Sequence, residues 1–600
     1  MAELTPIILC LSRAGETTAH RVAAALNAPV HGRAGRVDKA DAFFPDALEH
    51  IRMLFQAGHP VVGVCAAGIL VRAVAPVLAN KRSEPPVIAI PDDGSTVIPL
   101  LGGHHGANRL AKQIAKALHS HAAVTTAGDV SLGIALDEPP AGWRLANPED
   151  AKPVMMALLN GQNPIIEGEN IWGLEAGAGP VKLVASEAPV VAGESLLAYH
   201  PQRYALGLGC ARGCDVDEIW ALVTEAIKSA NIAPEAIACV ASLDLKGDEP
   251  AMIETAKRLG VPYRLFTAAG LEAETERLAN PSDVVFAEVG CHGVAEGAAL
   301  AMAGPASVLT VEKQKTQNAT CALARAPEPI VALKGRARGR LSIVSIGPGQ
   351  HSWRTPEASM LIAQAEELVG YGLYIDLLGP LAAGKKRSDF PLGGEEDRCR
   401  YALEQAGKGN NVALVCSGDA GIYAMGALVY ELLDRGPEAM GVSDAARRVE
   451  VVSTPGVSAL QGAAARAGAP LGHDFCAISL SDLLTPREDI VKRLKAAAEG
   501  DFVIAFYNPV SKRRRTLLAE ARDILLKHRP KDTPVMLASN LGRPEEAVRY
   551  VRLEDLQVDD VDMLTVVLVG SSHSKLAMLG EGPRMYTPRG YARKIDGDLA

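Results

Sequence analysis

The sequence predicts a multidomain α/β protein. Short β-branched runs alternate with Ala- and Leu-rich stretches along the whole chain, the pattern of parallel strands joined by crossover helices. A length of 600 residues corresponds to about four folding units. Apolar residues make up 48% and charged residues 22%, a balance that supports packed cores and argues against disorder or a disulfide-dense scaffold.

TPIILCLS from Thr5 reads as a strand and ETTAHRVAAALN from Glu16 as a helix. PVVGVC, ending near Cys65, and PPVIAIPDDG are further strands, with the helix AAGILVRAVAPVL between them. A strand to Leu101, a glycine-rich turn and a helix over 107–118 complete a first α/β domain, 1–135. Residues 136–202, rich in Pro, Gly and short strands, are a bridging region. A second α/β domain opens at Tyr204 and spans 203–326. Prolines and basic residues then mark 327–340 as an exposed linker. The last block has two sections, 341–459 and 460–600, each alternating strands with helices.

Composition excludes several function classes. Lys plus Arg is 61 against 70 for Asp plus Glu, a net charge of −9, so no chain-wide basic field draws in nucleic acid or an anionic membrane. Aromatics at 4% argue against base-stacking platforms. No run approaches the roughly 20 apolar residues of a membrane span, and the first residues lack the basic start and apolar core of a signal peptide. The expectation is a cytoplasmic protein with neither nucleic-acid nor membrane partners. The ten cysteines sit mostly in apolar runs, where a reduced thiol packs as a small hydrophobe. Cys210 and Cys214 have no second ligand pair nearby, so no metal is expected.

Four strand ends carry glycine or small polar residues in the last block: Gly347-Pro348-Gly349, Ser417-Gly418-Asp419, Pro455-Gly456-Val457-Ser458 and Tyr507-Asn508-Pro509. Glycine there allows positive φ and close approach of a ligand to backbone N–H groups. Ligands of open α/β sheets bind outside the carboxyl ends of strands, so the recurrence predicts one composite cleft. No G-x-x-x-x-G-K-[ST] loop is present, and the opening strand lacks G-x-G-x-x-G. A cofactor other than a nucleoside triphosphate or a dinucleotide is required.

GPG at 347, SGDAGIYAM at 417–425, PGVSA at 455–459, GAPLGHDFCAISLSDLLTP at 468–486, YNP at 507 and DMLTVVLVG at 562–570 together resemble the cobalamin-pathway tetrapyrrole methyltransferases. The GHDFCAISLSDLLTP stretch and the closing TPRGY are most similar to the precorrin-3B C-17 methyltransferases. The resemblance covers about 250 residues. It implies a two-lobed tetrapyrrole methyltransferase fold with S-adenosyl-L-methionine in the cleft between lobes, a tetrapyrrole substrate, and a homodimer formed through this part. Gly347, Pro348 and Gly349 would face cofactor and substrate. Ser417, Gly418, Asp419 and Ile422 would hold the methionine and adenosyl portions, and Ser458, Tyr507, Asn508 and Thr565 would line the rest. Relatives often carry Pro where this chain has Ala420, which removes one constraint on that loop.

The implied reaction methylates C-17 of precorrin-3B and contracts the ring to precorrin-4, extruding one bridging carbon as an acetyl group. A proton donor or acceptor near the migrating carbon would assist it. Asp419, His473, Asp474 and Asp482 are the candidates, although an Asp at position 419 is equally a helix-capping residue. The carboxylates of such a substrate suit arginine and lysine receptors. Lys512, Arg513, Arg514 and Arg515 follow YNP and fit that role, which a solvated helix face would equally explain.

The first 326 residues resemble a different family. AAGILVRAVAPVL, PDDGSTVIPLLGGHHGANRLAKQIAKAL, GLGCARGCDVDEI, SLDLKGDEPAMIETAKRLG and EKQKTQNATCALA are similar to the cobalt-precorrin-5A hydrolase type of cobalamin-pathway protein. The implied activity opens a ring-A lactone and releases acetaldehyde. His104 and His105 follow two glycines at a strand end, where an imidazole serves as a base near neutral pH. Arg72, Lys246, Glu249, Glu296 and Lys313 are further candidates for binding carboxylates or moving protons. The alternative is a non-catalytic module that binds or hands over tetrapyrroles. Metal-free and cobalt-containing substrates both remain open at this point.

Overall fold

The computed structural model describes residues 4–80, 84–191, 193, 195–511 and 515–595. Five principal sheets follow one another along the chain.

The first sheet has seven strands in the order Ala42–Phe44, Val30–Arg33, Ile7–Cys10, Val61–Val64, Val87–Ile90, Thr96–Leu101, His121–Ala122. Alternate residues of one strand feed opposite faces. Ile7 and Leu9 enter one core, and Ile8 and Cys10 enter another, as the two-residue period of a strand requires. Thr96–Leu101 runs antiparallel to Val87–Ile90, with Val87 opposite Leu101.

Between residues 136 and 202 a four-stranded sheet and the helix Ala151–Leu159 enclose a small core of their own. The next sheet has six strands, with Tyr204–Cys210, Ile237–Leu243 and Tyr263–Phe266 parallel and adjacent. The helix Val294–Ala303 lies directly on it. A Cβ at Gly207 would stand 1.9 Å from Ala295 O, so only glycine admits the helix that closely.

The stretch expected to be an exposed linker is tied down. Arg336–Ala337 pairs antiparallel with Tyr263–Phe266, and Ile330 and Leu333 pack against a buried core. Arg338 donates to Arg448 O at 3.0 Å and Val449 O at 3.1 Å. Ile330 and Leu333 are thus two apolar anchors set among the prolines and cations of this stretch.

The last 260 residues form two lobes. The first sheet, in the order Lys386–Phe390, Glu367–Tyr371, Asn411–Cys416, Arg340–Ser345, Glu450–Ser453, is wholly parallel. The second, in the order Phe475–Ser479, Val503–Tyr507, Thr565–Val569, Pro534–Ser539, Ala547–Arg552, is mixed. The first lobe shares a continuous core with the N-terminal domain. Leu54, Leu70 and Val74 from one side and Ile346, Leu361 and Ile362 from the other belong to the same buried cluster. No single helix among the described residues is long and apolar enough to cross a membrane.

Candidate active site

In the first lobe the strands ending at Ser345, Cys416 and Ser453 lie side by side and parallel. Their carboxyl ends therefore deliver three loops to one edge of the sheet. Gly347, with φ +73, and Gly418, with φ +71, form a short antiparallel bridge, Gly418 N donating to Gly347 O at 2.8 Å. Ser345 Oγ donates to Thr454 O at 2.7 Å and accepts from Ala420 N at 2.9 Å. One buried hydroxyl thus ties the second and third loops to the first. Asp419 completes the knot, Oδ1 accepting from Gly421 N at 2.8 Å and Oδ2 from Gly456 N at 2.9 Å. Both carboxylate oxygens are used in holding loop backbone, and neither caps the helix Gly426–Asp434 that follows, whose N-cap is Met425.

The second lobe presents a matching edge. Ser479 pairs with Tyr507, and Thr565 pairs with Ser539, so three strand ends and a strand start lie at the same edge. Thr565 Oγ1 donates to Asp562 Oδ1 at 2.7 Å and lies 2.8 Å from Ser539 Oγ. Asn508, held at φ 49, donates to Ser479 Oγ at 3.2 Å.

Tyr507, Tyr423 and Arg543 are among the residues that join the two edges. Tyr507 OH donates to Ser458 Oγ at 3.1 Å and accepts from Leu460 N at 2.9 Å. Tyr423 OH donates to Ala477 O at 2.7 Å, its ring 5.2 Å from that of Tyr507. Arg543 Nε donates to Pro348 O at 3.0 Å. Burial raises the pKa of both tyrosines, so they act as neutral phenols at physiological pH.

Gly347, Pro348, Gly349, Gly418, Asp419, Ser458 and Tyr507 thus lie where the loops of the two lobes meet, Ser417 and Ile422 flank Gly418 and Asp419 in the second loop, and Asn508 and Thr565 stand on the second-lobe edge. Asp482 follows Ser479 and joins the same edge. His473 does not. It precedes Phe475–Ser479 at the amino end of that strand, about five residues or 17 Å of strand from the cleft edge, and its Nδ1 accepts from Asp474 N at 2.9 Å. Arg515 pairs with Asp559 on the surface. Lys512, Arg513 and Arg514 lie outside the described residues. Sequence reasoning missed Ser345, Thr454 and Arg543. Tyr423 was inside a quoted motif, and its position at φ 51 is what turns it toward the other lobe.

The crevice fits a methyl donor of the kind the resemblance implies. A Cβ at Gly418 would meet nothing nearer than Ser458 Cα at 3.8 Å, so glycine there leaves room for a ligand. Backbone amides and carbonyls of the loops stand around it, with the half-buried Ile422 beside Asp419 in the same loop.

In the N-terminal domain, residues 102–106 follow the antiparallel strand Thr96–Leu101 and turn beside Pro86, 2.7 Å from a Cβ placed on Gly102. His105 is therefore at the amino edge of the parallel strands, and the side chain of His104 lies outside the described part. Ser12, Cys65 and Asp92 occupy the opposite, carboxyl edge, where Ser12 Oγ donates to Asp92 Oδ1 at 3.0 Å. In the second domain Glu249, fully buried, accepts from Gly213 N at 3.0 Å, beside Lys246. Glu296 accepts from Lys313 N at 2.8 Å and Asn280 N at 2.9 Å, which makes it a brace between segments. Arg72 reaches Gly68 O at 3.3 Å within its own helix.

Three loops from parallel strands of one lobe meet the edge of a second, mixed lobe. Residues 340–557 match the family described as Tetrapyrrole (Corrin/Porphyrin) Methylases, and the chain belongs to that family. Ahead of it, residues 49–129 match the Cobalamin synthesis G N-terminal family and 204–324 the Cobalamin synthesis G C-terminus. More particularly, the chain is 43% identical over 255 residues to a precorrin-3B C(17)-methyltransferase of Sinorhizobium sp, covering 42% of this chain and 98% of that protein. It is 44% identical over 251 residues to a probable cobalt-factor III C(17)-methyltransferase of Salmonella typhimurium, covering 42% and 99%. A crystal structure of the methyltransferase CobJ is 39% identical, covers 42% of this chain and 100% of its own, and superposes with a TM-score of 0.39.

Proposed function

We propose that this chain methylates C-17 of a corrin-pathway tetrapyrrole with S-adenosyl-L-methionine and contracts the ring, converting precorrin-3B or its cobalt counterpart into the precorrin-4 level. The observation that carries the reading is the three-loop glycine edge of one lobe facing the hydroxyl-bearing edge of the other, in a chain that aligns with C(17)-methyltransferases over nearly their whole length.

When bound, the cofactor supplies an activated methyl group on a sulfonium. Gly347, Gly418 and Gly456 let backbone approach the ligand, and Asp419 and Ser345 hold the three loops in register. Preorganisation of this kind supplies several kcal/mol of a methyl-transfer barrier through orientation. Tyr507 and Ser458 set the spacing between lobes, and Thr565 offers a hydroxyl on the far wall. Asp482, at the same edge, is the acid or base for the rearrangement. His473 stands too far along its strand for that role. Arg515, with its three basic neighbours, supplies cationic receptors for the substrate's carboxylates. A homodimer through the methyltransferase part accords with Leu576, Met578 and Leu579, which Lys575–Leu579 exposes to solvent.

The N-terminal half adds lactone opening on a later intermediate, with His105 as the base. A carrier role for that half is the other reading, favoured by the placement of His105 away from the carboxyl-edge crevice. The deciding experiment uses the full chain. Incubation with precorrin-3B or cobalt-factor III and 13C-methyl donor should place the label at C-17 of a contracted ring by NMR. Incubation with cobalt-precorrin-5A should release acetaldehyde, and release should vanish in His105→Ala. Unlabelled, unchanged macrocycle from both first substrates refutes the methyltransferase reading. Tight tetrapyrrole binding without acetaldehyde selects the carrier.

A further inference from the structure

The N-terminal domain meets the first methyltransferase lobe along a seam, and that seam reaches the glycine loop of the cleft. Gly347-Pro348-Gly349 runs on into a tight helical turn, His351–Trp353, which folds back over the loop. A Cβ at Gly347 would stand 3.3 Å from Trp353 O and 3.5 Å from Trp353 Cβ. The turn is therefore packed directly on the glycine that bridges to Gly418.

Two other parts of the chain grip this turn and loop. From the second lobe, Arg543 Nε donates to Pro348 O at 3.0 Å, and a Cβ at Gly349 would stand 2.7 Å from Gly542 O. The Arg466 guanidinium stands 4.7 Å from the centre of the Trp353 ring. From the N-terminal domain, the helix Ala47–Gln56 offers Glu49 and Met53, four residues apart and so on one face. His351 Nε2 donates to Glu49 Oε1 at 2.6 Å, and Arg354 Nη2 lies 3.3 Å from Met53 Sδ. A carboxylate only accepts, so this contact also fixes a proton on Nε2. Arg354 is buried, and its Nε donates to Ser359 Oγ at 2.9 Å, which anchors the end of the turn independently of Glu49.

Glu49 and His351 are both about half exposed, so their pair adds little to the stability of the seam. The shared apolar cluster supplies that. What distinguishes the pair is its place, on a turn whose other contacts are the donor-side loop and the second lobe. We propose that Glu49 is a positioning residue for the methyl donor: through His351 it fixes the turn that backs Gly347, so the N-terminal domain sets the donor-binding geometry of the methyltransferase part. The proposal rests on the methyl-transfer reading. Without Glu49 the turn keeps its anchors at Trp353 and Arg354 but is freed at His351, and part of the donor's binding energy goes into ordering the loop.

Calorimetric titration of the full chain with S-adenosylhomocysteine tests this. Glu49→Ala and His351→Ala should each weaken binding by about threefold, and the double variant by no more than either alone, because both remove one contact. Glu49→Gln, which keeps an acceptor for the Nε2 proton, should recover most of the affinity. In steady-state assays with precorrin-3B, KM for the donor should rise in Glu49→Ala while kcat at saturating donor and the melting temperature of the unliganded protein stay as they were. A purely structural contact would give the reverse, a lower melting temperature with unchanged affinity, and that result overturns the proposal. Losses that multiply in the double variant overturn it too, and either result leaves the methyl-transfer reading standing. Absence of saturable S-adenosylhomocysteine binding to the unaltered chain refutes that reading, and the proposal with it.

Discussion

Ser345 does more for the site than any glycine beside it. Its hydroxyl holds Thr454 O and Ala420 N, so Ser345→Ala strands a buried N–H and should cost about 1–3 kcal/mol in denaturant unfolding, with weaker binding of S-adenosylhomocysteine by calorimetry. Gly456 is constrained by its neighbours: a Cβ would stand 2.3 Å from Gly418 O and 2.5 Å from Ser345 Cβ. Gly456→Ala therefore separates the loops, and donor binding should fall more than stability does. At the seam, burial lowers the pKa of His31 to about 4, His50 to about 3 and His59 to about 4, from the usual 6.5. The facing charges are few: Asp41 raises His31, and Lys385 lowers His59. The unfolded chain binds protons at these positions that the folded one refuses, so stability rises with pH between about 4 and 6.5 and is lost on acidification through that window. Melting temperature against pH should show this fall beginning near pH 6, above the carboxylate range. His50→Phe, which keeps the stack on Phe44, should make it shallower.

Strands and their glycine-bearing ends were legible because hydrophobic period and turn residues are local signals. What a strand end meets was not. The GGHHG turn and the LSRAG and PDDG turns all read as strand ends, yet Thr96–Leu101 runs the other way in its sheet and carries the histidines to the opposite edge. His473 was displaced for the same reason, lying at the start of a strand whose end lines the cleft. The helix Ala459–Ala467 shows how the lobes are spaced. Ser458 and Gln461 cap it reciprocally, and Tyr507 reaches across to its first turn. Tyr507→Phe removes one acceptor and should cost about 1 kcal/mol. The larger expected effect is a raised KM for the donor in steady-state assays, since the lobes lose the tie between Tyr507 and the start of this helix.

Across the whole molecule, the N-terminal domain and the first methyltransferase lobe behave as one folding unit. They share a buried cluster, His351 Nε2 contacts Glu49 Oε1 at 2.6 Å, and Arg354, its pKa lowered to about 10 by burial, lies 3.3 Å from Met53 Sδ. Met53→Ala should therefore destabilise both parts together, by about 2 kcal/mol for this partly buried side chain, and lower the melting temperature that each reports in step. Separate transitions for Trp353 fluorescence and for a probe in the first sheet would contradict that coupling. The seam begins two residues after Gly349, so the same packing also supports the loop that meets the cofactor.

Residue order was sufficient for the α/β class and the kinship of both halves, because each is written in short-range pattern and in runs of contiguous motif. Strand direction, the edge on which a loop emerges and the seam that fuses two modules came from the folded chain. Those depend on pairings and apolar faces brought together from positions hundreds of residues apart, and a local pattern carries no record of them.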